Sequence, residues 1–116
     1  MAQIDNILGQ SDTIQHSSGT MFEHTFAITL SSDGSAFSLT NYTGVFTISK
    51  TKGSASLYEA STEDSDGVLS FSANSFTISD NITITDYSRL YFQLIITHNT
   101  EAERIYCPWF GAFLNE

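Results

Sequence analysis

Three histidines and one cysteine are the residues of this 116-residue chain that could take part in histidine-assisted nucleophilic catalysis. Such chemistry requires a serine or cysteine beside a histidine that a carboxylate orients. His16 lies in a polar N-terminal segment, His24 within an alternating apolar pattern, and His98 at the end of an apolar run. No Gly-x-Ser-x-Gly motif accompanies them. Because His24 alternates with Phe22 and Phe26, we interpret it as a partly buried structural histidine. Since the histidines and the cysteine form no catalytic arrangement, we predict that the chain has no catalytic residue and is not an enzyme.

The single cysteine, Cys107, precedes Pro108 and is flanked by Tyr106 and Trp109. One cysteine cannot form an intrachain disulfide, so the fold must depend on its apolar core. An unpaired cysteine among aromatic residues is typical of a small buried hydrophobic side chain rather than of a nucleophile.

The acidic segment 63–67, with the sequence EDSDG, has the alternating carboxylates of a calcium-binding loop. Superimposing it on the twelve-residue calcium loop places Thr62 first and Ala73 twelfth, where that loop requires a glutamate. We therefore expect a solvated turn. The spacing of Cys and His residues fits no zinc site, and no Gly-rich loop precedes a helix to bind phosphate, so we predict neither metal nor cofactor.

The formal net charge of −9 comes from 13 acidic residues and only four fixed cations. Nucleic-acid binding requires clustered cations to neutralise phosphates, so neither nucleic acid nor an anionic membrane is an expected partner. The acidity favours solubility or a basic partner. The N-terminus has no secretion signal and no apolar run reaches the roughly 18 residues of a membrane helix, so we expect synthesis in a cytoplasm. The fixed cations are Lys50, Lys52, Arg89 and Arg104.

Residues 1–20 are polar and contain scattered aliphatic residues, which predicts an extended N-terminal arm. Residues 3–9 could form a short helix, but isolated short helices are marginal in water. Two interpretations of the arm remain open: a disordered terminus, or a segment that becomes ordered on a neighbouring subunit. In the second, the contacting side chains would be Ile4, Ile7 and Leu8.

From residue 21 onward, apolar runs recur about every ten residues between turn residues, which is typical of a β-sandwich or barrel. The Asp-Gly pair within 31–35 predicts a tight turn, and 79–86 could be either a strand or an irregular turn. In 90–98 both faces are apolar, so we expect both to be covered. The predicted strands are 22–30, 44–50, 56–62, 68–71, a segment containing Phe76 and Ile78, 90–98, and a last strand from Ile105 to Leu114. The prediction is two antiparallel sheets in one domain, 21–116.

Bulky rings occupy both faces of the last predicted strand. Pro108 cannot donate to a central ladder and therefore indicates an edge or a bulge. Since alternation buries only one face, we predict that either Trp109 or Phe110 is covered by another chain, with most of the other rings, including Tyr106 and Phe113, in the core.

Several motifs together carry a family resemblance. They are, in chain order, Asp33-Gly34, the segment 37–43 (FSLTNYT), Val45-Phe46-Thr47-Ile48, Asp66-Gly67-Val68-Leu69, Phe76-Thr77-Ile78-Ser79, the segment 90–96 (LYFQLII) and Gly111-Ala112-Phe113. This order resembles the immunoglobulin-like domains of tailed-phage structural proteins, in particular the N-terminal domain of baseplate upper proteins and its stand-alone relatives. The resemblance covers residues 21–114. Asn41 stands where that family usually has Gly, and the segment 91–94 reads YFQL where the family has Tyr-Asp-Leu.

The resemblance implies an immunoglobulin-like antiparallel β-sandwich of about seven to eight strands that serves as a virion part: a baseplate or tail adaptor, a neck or head-fibre anchor, or a capsid accessory protein. Its expected partners are other virion structural proteins and copies of itself, and its expected location is the virion. The alternative is a carbohydrate- or receptor-binding module, in which exposed Trp and Tyr side chains would do the binding. Trp109 is the only tryptophan, which disfavours a sugar platform.

Overall fold

The computed structural model describes residues 2–4, 10–28, 37–85, 88–101 and 103–115, and within them the chain forms nine strands and no helix. The strands are β1 Ala2–Ile4, β2 Gln10–His16, β3 Thr20–Ile28, β4 Tyr42–Ser49, β5 Ser56–Ser61, β6 Leu69–Ser72, β7 Ser75–Ile82, β8 Arg89–His98 and β9 Ile105–Asn115. They form a four-stranded sheet in the order β1-β3-β7-β6 and a five-stranded sheet in the order β2-β9-β8-β4-β5. The predicted all-β sandwich is confirmed.

The order of the strands is that of an immunoglobulin sandwich. Immunoglobulin domains place strands A, B, E and D in one sheet and C, F and G in the other, and the variable type adds C′ beside C. Labelling β3 to β9 as B, C, C′, D, E, F and G gives these two groups, with β1 beside B and β2 beside G. The first N-terminal strand thus completes one sheet and the second completes the other.

The core lies between the two sheets and is built from alternate residues of the strands. In β3 the buried residues are Phe22, Phe26 and Ile28, as the period of two predicts. In β8 the inward residues Phe92, Leu94 and Ile96 are 0% exposed. The other large side chains that are buried almost completely are Phe46, Phe76, Trp109, Phe113, Ile48, Ile78 and Ile82. The aromatic side chains of this core dominate its packing, since each buries a large apolar area.

The first part of segment 79–86, which could be a strand or an irregular turn, belongs to strand β7. This strand runs to Ile82, which is 1% exposed, and pairs with β3 along its whole length. The predicted turn within 31–35 lies outside the described residues. Leu39, just after that segment, is buried, and its amide donates to the carbonyl of Ala73 at 2.8 Å.

The prediction of a separate arm over residues 1–20 does not hold where the structure describes this segment. β1 pairs with β3 and β2 pairs with β9, both in parallel, whereas the other ladders are antiparallel as predicted. Ile14 and His16 in β2 are buried. The described part of the N-terminal segment therefore belongs to the sandwich, and residues 3 and 4 lie in a strand rather than in a helix.

The hairpin between β6 and β7 contains a conformation that glycine adopts more readily than alanine. Ala73 has a φ of 53° in the two-residue loop that follows Ser72. An L-residue in this left-handed region costs about 1–2 kcal/mol, and part of that cost is offset by the larger entropy that glycine loses on folding. We expect Ala73→Gly to raise the free energy of urea unfolding by about 1 kcal/mol.

The matched control is Ala112→Gly, in the interior of β9, where the same change should lower the free energy of unfolding by about 0.5–1 kcal/mol. If both variants lose stability, the positive φ at Ala73 is not a source of strain.

Candidate functional site

The last strand, β9, presents its two neighbouring aromatic rings to opposite sides of the five-stranded sheet. Trp109 is 1% exposed and lies in the core, with ring centroids 4.5 Å from Phe26 and 4.7 Å from Phe92. Its indole nitrogen donates to Oδ2 of Asp12 at 3.3 Å. Phe110 is half-buried on the opposite side. Of the two residues predicted as an interface pair, Trp109 is a core residue and only Phe110 can contact another chain.

A β-bulge in β9 fixes this orientation. The ladder between β8 and β9 passes from Leu94↔Trp109 to Ile96↔Tyr106, so that Cys107 and Pro108 stand opposite one residue of β8. The bulge absorbs the proline, which has no amide hydrogen to donate, and reverses the side to which the following residues point. The predicted bulge or edge at Pro108 is confirmed as a bulge.

We define the outer face as the side of the five-stranded sheet that points away from the core. Phe110 lies near its middle, paired across strands with Ser11 on one side and Gln93 on the other. The half-buried apolar residues of this face are Val45, Tyr91, Ile95, Cys107, Phe110, Ala112 and Leu114. A single exposed apolar side chain is ordinary, whereas large contiguous apolar patches often mark contact surfaces, so this group is a candidate contact surface. The prediction was that both faces of 90–98 are covered. Within the chain, the other sheet covers the inner face, and the outer face is only half-buried.

Two adjoining concavities lie on the outer face. One, of about 370 Å³, is lined by Phe110, Ile95, Gln93, Cys107, Tyr91 and Lys52. The second, of about 660 Å³, shares Tyr91 and Lys52 and extends to the turn after β4 and the start of β8. Both are shallow and open. Such surfaces suit protein contacts better than the enclosed pockets that bury most of a small ligand.

Two titratable groups of the outer face, the Cys107 thiol and the Tyr91 phenol, are in their neutral forms near neutral pH. Partial burial raises the pKa of the Cys107 thiol, and its Sγ contacts the carbonyl oxygen of Trp109 at 3.8 Å. Partial burial also raises the pKa of Tyr91. A thiol whose pKa is raised is a poor nucleophile, so the surroundings of Cys107 favour a packing role, as the sequence predicts.

A second polar group lies inside the sandwich, between β2 and β3. Nε2 of His16 is 3.0 Å from the carbonyl oxygen of Ile82, and the ring of His24 is 4.5 Å from that of Phe22. Burial lowers the pKa of His24, Asp12 opposes this by raising it, and His16 lowers it further. His24 is thus a half-buried structural histidine among aromatic rings, as its place in the pattern predicts.

His98 lies at the end of β8 and accepts backbone hydrogen bonds from the turn that follows. One of them comes from the amide of Glu101, at 3.1 Å from Nδ1 of His98.

The lowered pKa of His24 predicts a dependence of stability on pH. Because the folded pKa lies below the unfolded value of 6.5, the unfolded chain takes up a proton first as the pH falls. The free energy of unfolding should therefore decrease from about pH 6.5 downward, until the folded pKa is reached. Urea unfolding at about pH 7.5 and about pH 5.5 measures this loss, and His24→Gln, which cannot titrate, should show a smaller loss. Equal losses in both proteins would show that His24 does not contribute.

The acidic segment 63–67 forms a turn between β5 and β6. Asp64 accepts the amide of Ser61 at 3.2 Å and Asp66 accepts the amide of Val68 at 3.1 Å. The expected turn is confirmed. In the described part of the chain, no three His, Cys, Asp or Glu side chains are arranged to hold a metal ion.

The remaining predicted interface residues belong to the N-terminal segment. Ile4 lies in β1, which pairs with β3 in the four-stranded sheet. Ile7 and Leu8 lie outside the described residues. No helix among the described residues has the length and apolar character needed to cross a membrane.

The cationic side of the outer face is formed by residues that only the tertiary structure brings together. Lys50, Lys52 and Arg89 line the larger concavity, and they come from two segments almost 40 residues apart in the chain. Spacing along the sequence carries no signal for such an arrangement.

Comparison with known protein families finds no matching family, and comparison with curated proteins finds no relative.

Proposed function

We propose that this chain is a non-enzymatic structural protein of a phage virion, an assembly or adaptor subunit that contacts other virion proteins through the outer face. The observation that carries the proposal is the half-buried apolar group around Phe110 on one sheet of an immunoglobulin-like sandwich. Its place in a tail, baseplate, neck, head-fibre anchor or capsid rests on the family resemblance of residues 21–114.

The composition of the outer face supports a protein partner. Aromatic side chains are typical of the centres of protein interfaces, and Phe110 and Tyr91 lie in the middle of this face. Of the three most exposed large apolar residues, which are 44–60% exposed, Ile105 and Leu57 belong to strands β9 and β5 of the same five-stranded sheet, and Met21 belongs to the other sheet. The apolar group on the outer face is therefore the better contact surface.

The burial of the single tryptophan disfavours the alternative, a carbohydrate-binding module. A sugar platform uses exposed aromatic rings, and Trp109 is 1% exposed within the core. The half-buried Tyr91 is the aromatic residue left for that role near Phe110, and it lies in a shallow concavity.

Light scattering on the purified chain, alone and mixed with the other structural proteins of its particle, tests the proposed function. We expect a defined oligomer or a stoichiometric complex. A chain that remains a monomer in every mixture and changes only when a glycan is added would contradict the proposal and support the alternative.

A further inference from the structure

Gln93 lies at the centre of the outer face. It belongs to β8, the middle strand of the five-stranded sheet, and pairs with Phe110 of β9 on one side and Thr47 of β4 on the other. Its side chain is half-buried and lines the smaller concavity. Within the described part of the chain, its carboxamide has no hydrogen-bond partner. A donor and an acceptor at the middle of an apolar group are therefore left for water or for another chain.

The three central strands of this sheet, β9, β8 and β4, are almost free of charged residues. Their sequences contain no Asp or Glu, and Arg89, the first residue of β8, is their only Lys or Arg. Depletion of charge is typical of the centre of a protein interface.

The low charge of these strands also favours contact between identical chains. The whole chain has 13 acidic residues and a net charge of −9. A contact of one copy with the same surface of another would bring carboxylates together wherever they are exposed, as at Glu23 in β3 or Glu59 in β5. Like charges in an interface oppose association. The central strands of the outer face can approach their own copy without this cost.

The size of the outer face suits a dimer of two copies. At about 4.8 Å between strands and about 3.3 Å per residue, five strands that average about eight residues form a face of roughly 24 by 27 Å. Two such faces in contact bury roughly 1,300 Å², which lies within the range of about 1,200–2,000 Å² for stable, specific interfaces.

We propose that two copies of this chain pack outer face against outer face, about a two-fold axis that passes close to Gln93. In such an isologous contact, a residue on the axis meets the same residue of the other copy. Two carboxamides are complementary to each other, since the amino group of one donates to the carbonyl oxygen of the other. Sheets packed face to face lie about 10 Å apart, so the two side chains meet midway.

The apolar residues next to Gln93 complete the contact. Phe110 is its cross-strand neighbour, and Tyr91 and Ile95 lie two residues away on the same side of β8. All three are half-buried in one copy, and the second copy covers them. This inference rests on the proposed function and names a second copy as one partner of the outer face.

Sedimentation velocity of the full chain at about 150 mM salt tests this inference with charged variants of Gln93. The wild type should form a dimer. Gln93→Glu and Gln93→Lys each place two like charges at the axis and should each weaken dimerisation by about tenfold or more. An equimolar mixture of the two variants should dimerise again, because opposite charges then meet. Recovery of this kind indicates that residue 93 contacts residue 93.

Ser70→Glu is the matched control, since Ser70 is exposed in β6 on the other sheet. It adds the same charge and should leave the dimer intact. Circular dichroism establishes that each variant is folded. If Gln93→Lys does not fold, loss of the dimer in Gln93→Glu but not in Ser70→Glu still supports the contact.

Three results would overturn the inference: a monomeric wild type, charged variants that dimerise as the wild type does, or a mixture of folded variants that stays monomeric. A wild type that is monomeric alone but binds other virion proteins, with that binding lost in Phe110→Ser, would overturn this inference and leave the proposed function intact.

Discussion

Replacing Trp109 with alanine is expected to lower the free energy of unfolding by about 3–5 kcal/mol, whereas replacing Phe110 with serine should lower it by at most about 1 kcal/mol. The indole fills the centre of the sandwich between Phe26 and Phe92, and its removal leaves a cavity. Phe110 is half-buried on the outer face, where water can fill the vacated space. Urea unfolding of both variants measures the difference.

The Phe110 variant should affect assembly rather than stability. Phe110→Ser should remain folded and lose binding to the virion proteins that the proposed function names as partners, because it removes the aromatic ring in the middle of the outer face. Met21→Ser is the matched control, since Met21 is a large apolar residue, 60% exposed, on the other sheet. Equal binding by Phe110→Ser and the control would show that the outer face is not the contact surface. If Phe110→Ser also unfolds the domain, Phe110 is part of the core.

The second large effect is expected at Gly111, where β2 docks against β9. Gly111 has a φ of 150°, which residues with a side chain rarely adopt, and it pairs with Asp12. An added Cβ would overlap the carbonyl oxygen of Asp12 and lie 2.9 Å from its amide nitrogen. We expect Gly111→Ala to lower the free energy of unfolding by about 2–4 kcal/mol.

The loss at Gly111 should be localised to β2. Hydrogen exchange in Gln10–His16 should become faster than in β4, because the added methyl group separates β2 from the sheet. Gly53→Ala is the matched control: Gly53 has a φ of 85° but nothing within 4 Å of an added Cβ, so it should cost only about 1–2 kcal/mol. Equal losses in the two variants, with β2 still protected, would contradict the steric explanation.

The antiparallel part of the fold could be predicted from sequence because its signals are local. The alternation in β3 and β8 shows directly in the residue types, and the predicted starts and ends of most strands lie within about two residues of those observed. Phe22, Phe46 and Phe92 fall on the buried faces that the pattern assigns to them.

The two N-terminal strands could not be predicted in the same way. β2 alternates, but Ile14 is its only buried aliphatic residue, so its period of two is hard to distinguish from a polar tail. Its partner β9 lies at the other end of the chain, and no local pattern reports a pairing of that kind. Gly111 is the one indirect signal, since a glycine in a strand marks a close approach of another backbone.

From the sequence alone, the candidate site could be narrowed to one pair of adjacent aromatic residues. Two adjacent aromatic residues in a strand imply that one points outward, but the bulge at Pro108 determines which, and its register depends on pairing with β8. The cationic side of the larger concavity depends on tertiary structure in the same way, because Arg89 meets Lys50 and Lys52 only once β8 and β4 pair.

Cross-linking mass spectrometry on purified virions, in which the proposed function places this chain, tests that proposal most directly. A lysine-reactive reagent should join Lys52, at the edge of the outer face, to another virion protein or to a second copy. We predict that peptides of the chain are abundant in the particles and that Lys52 is cross-linked between chains. Absence of the chain from particles, when it is detected in the infected cells, would contradict the account.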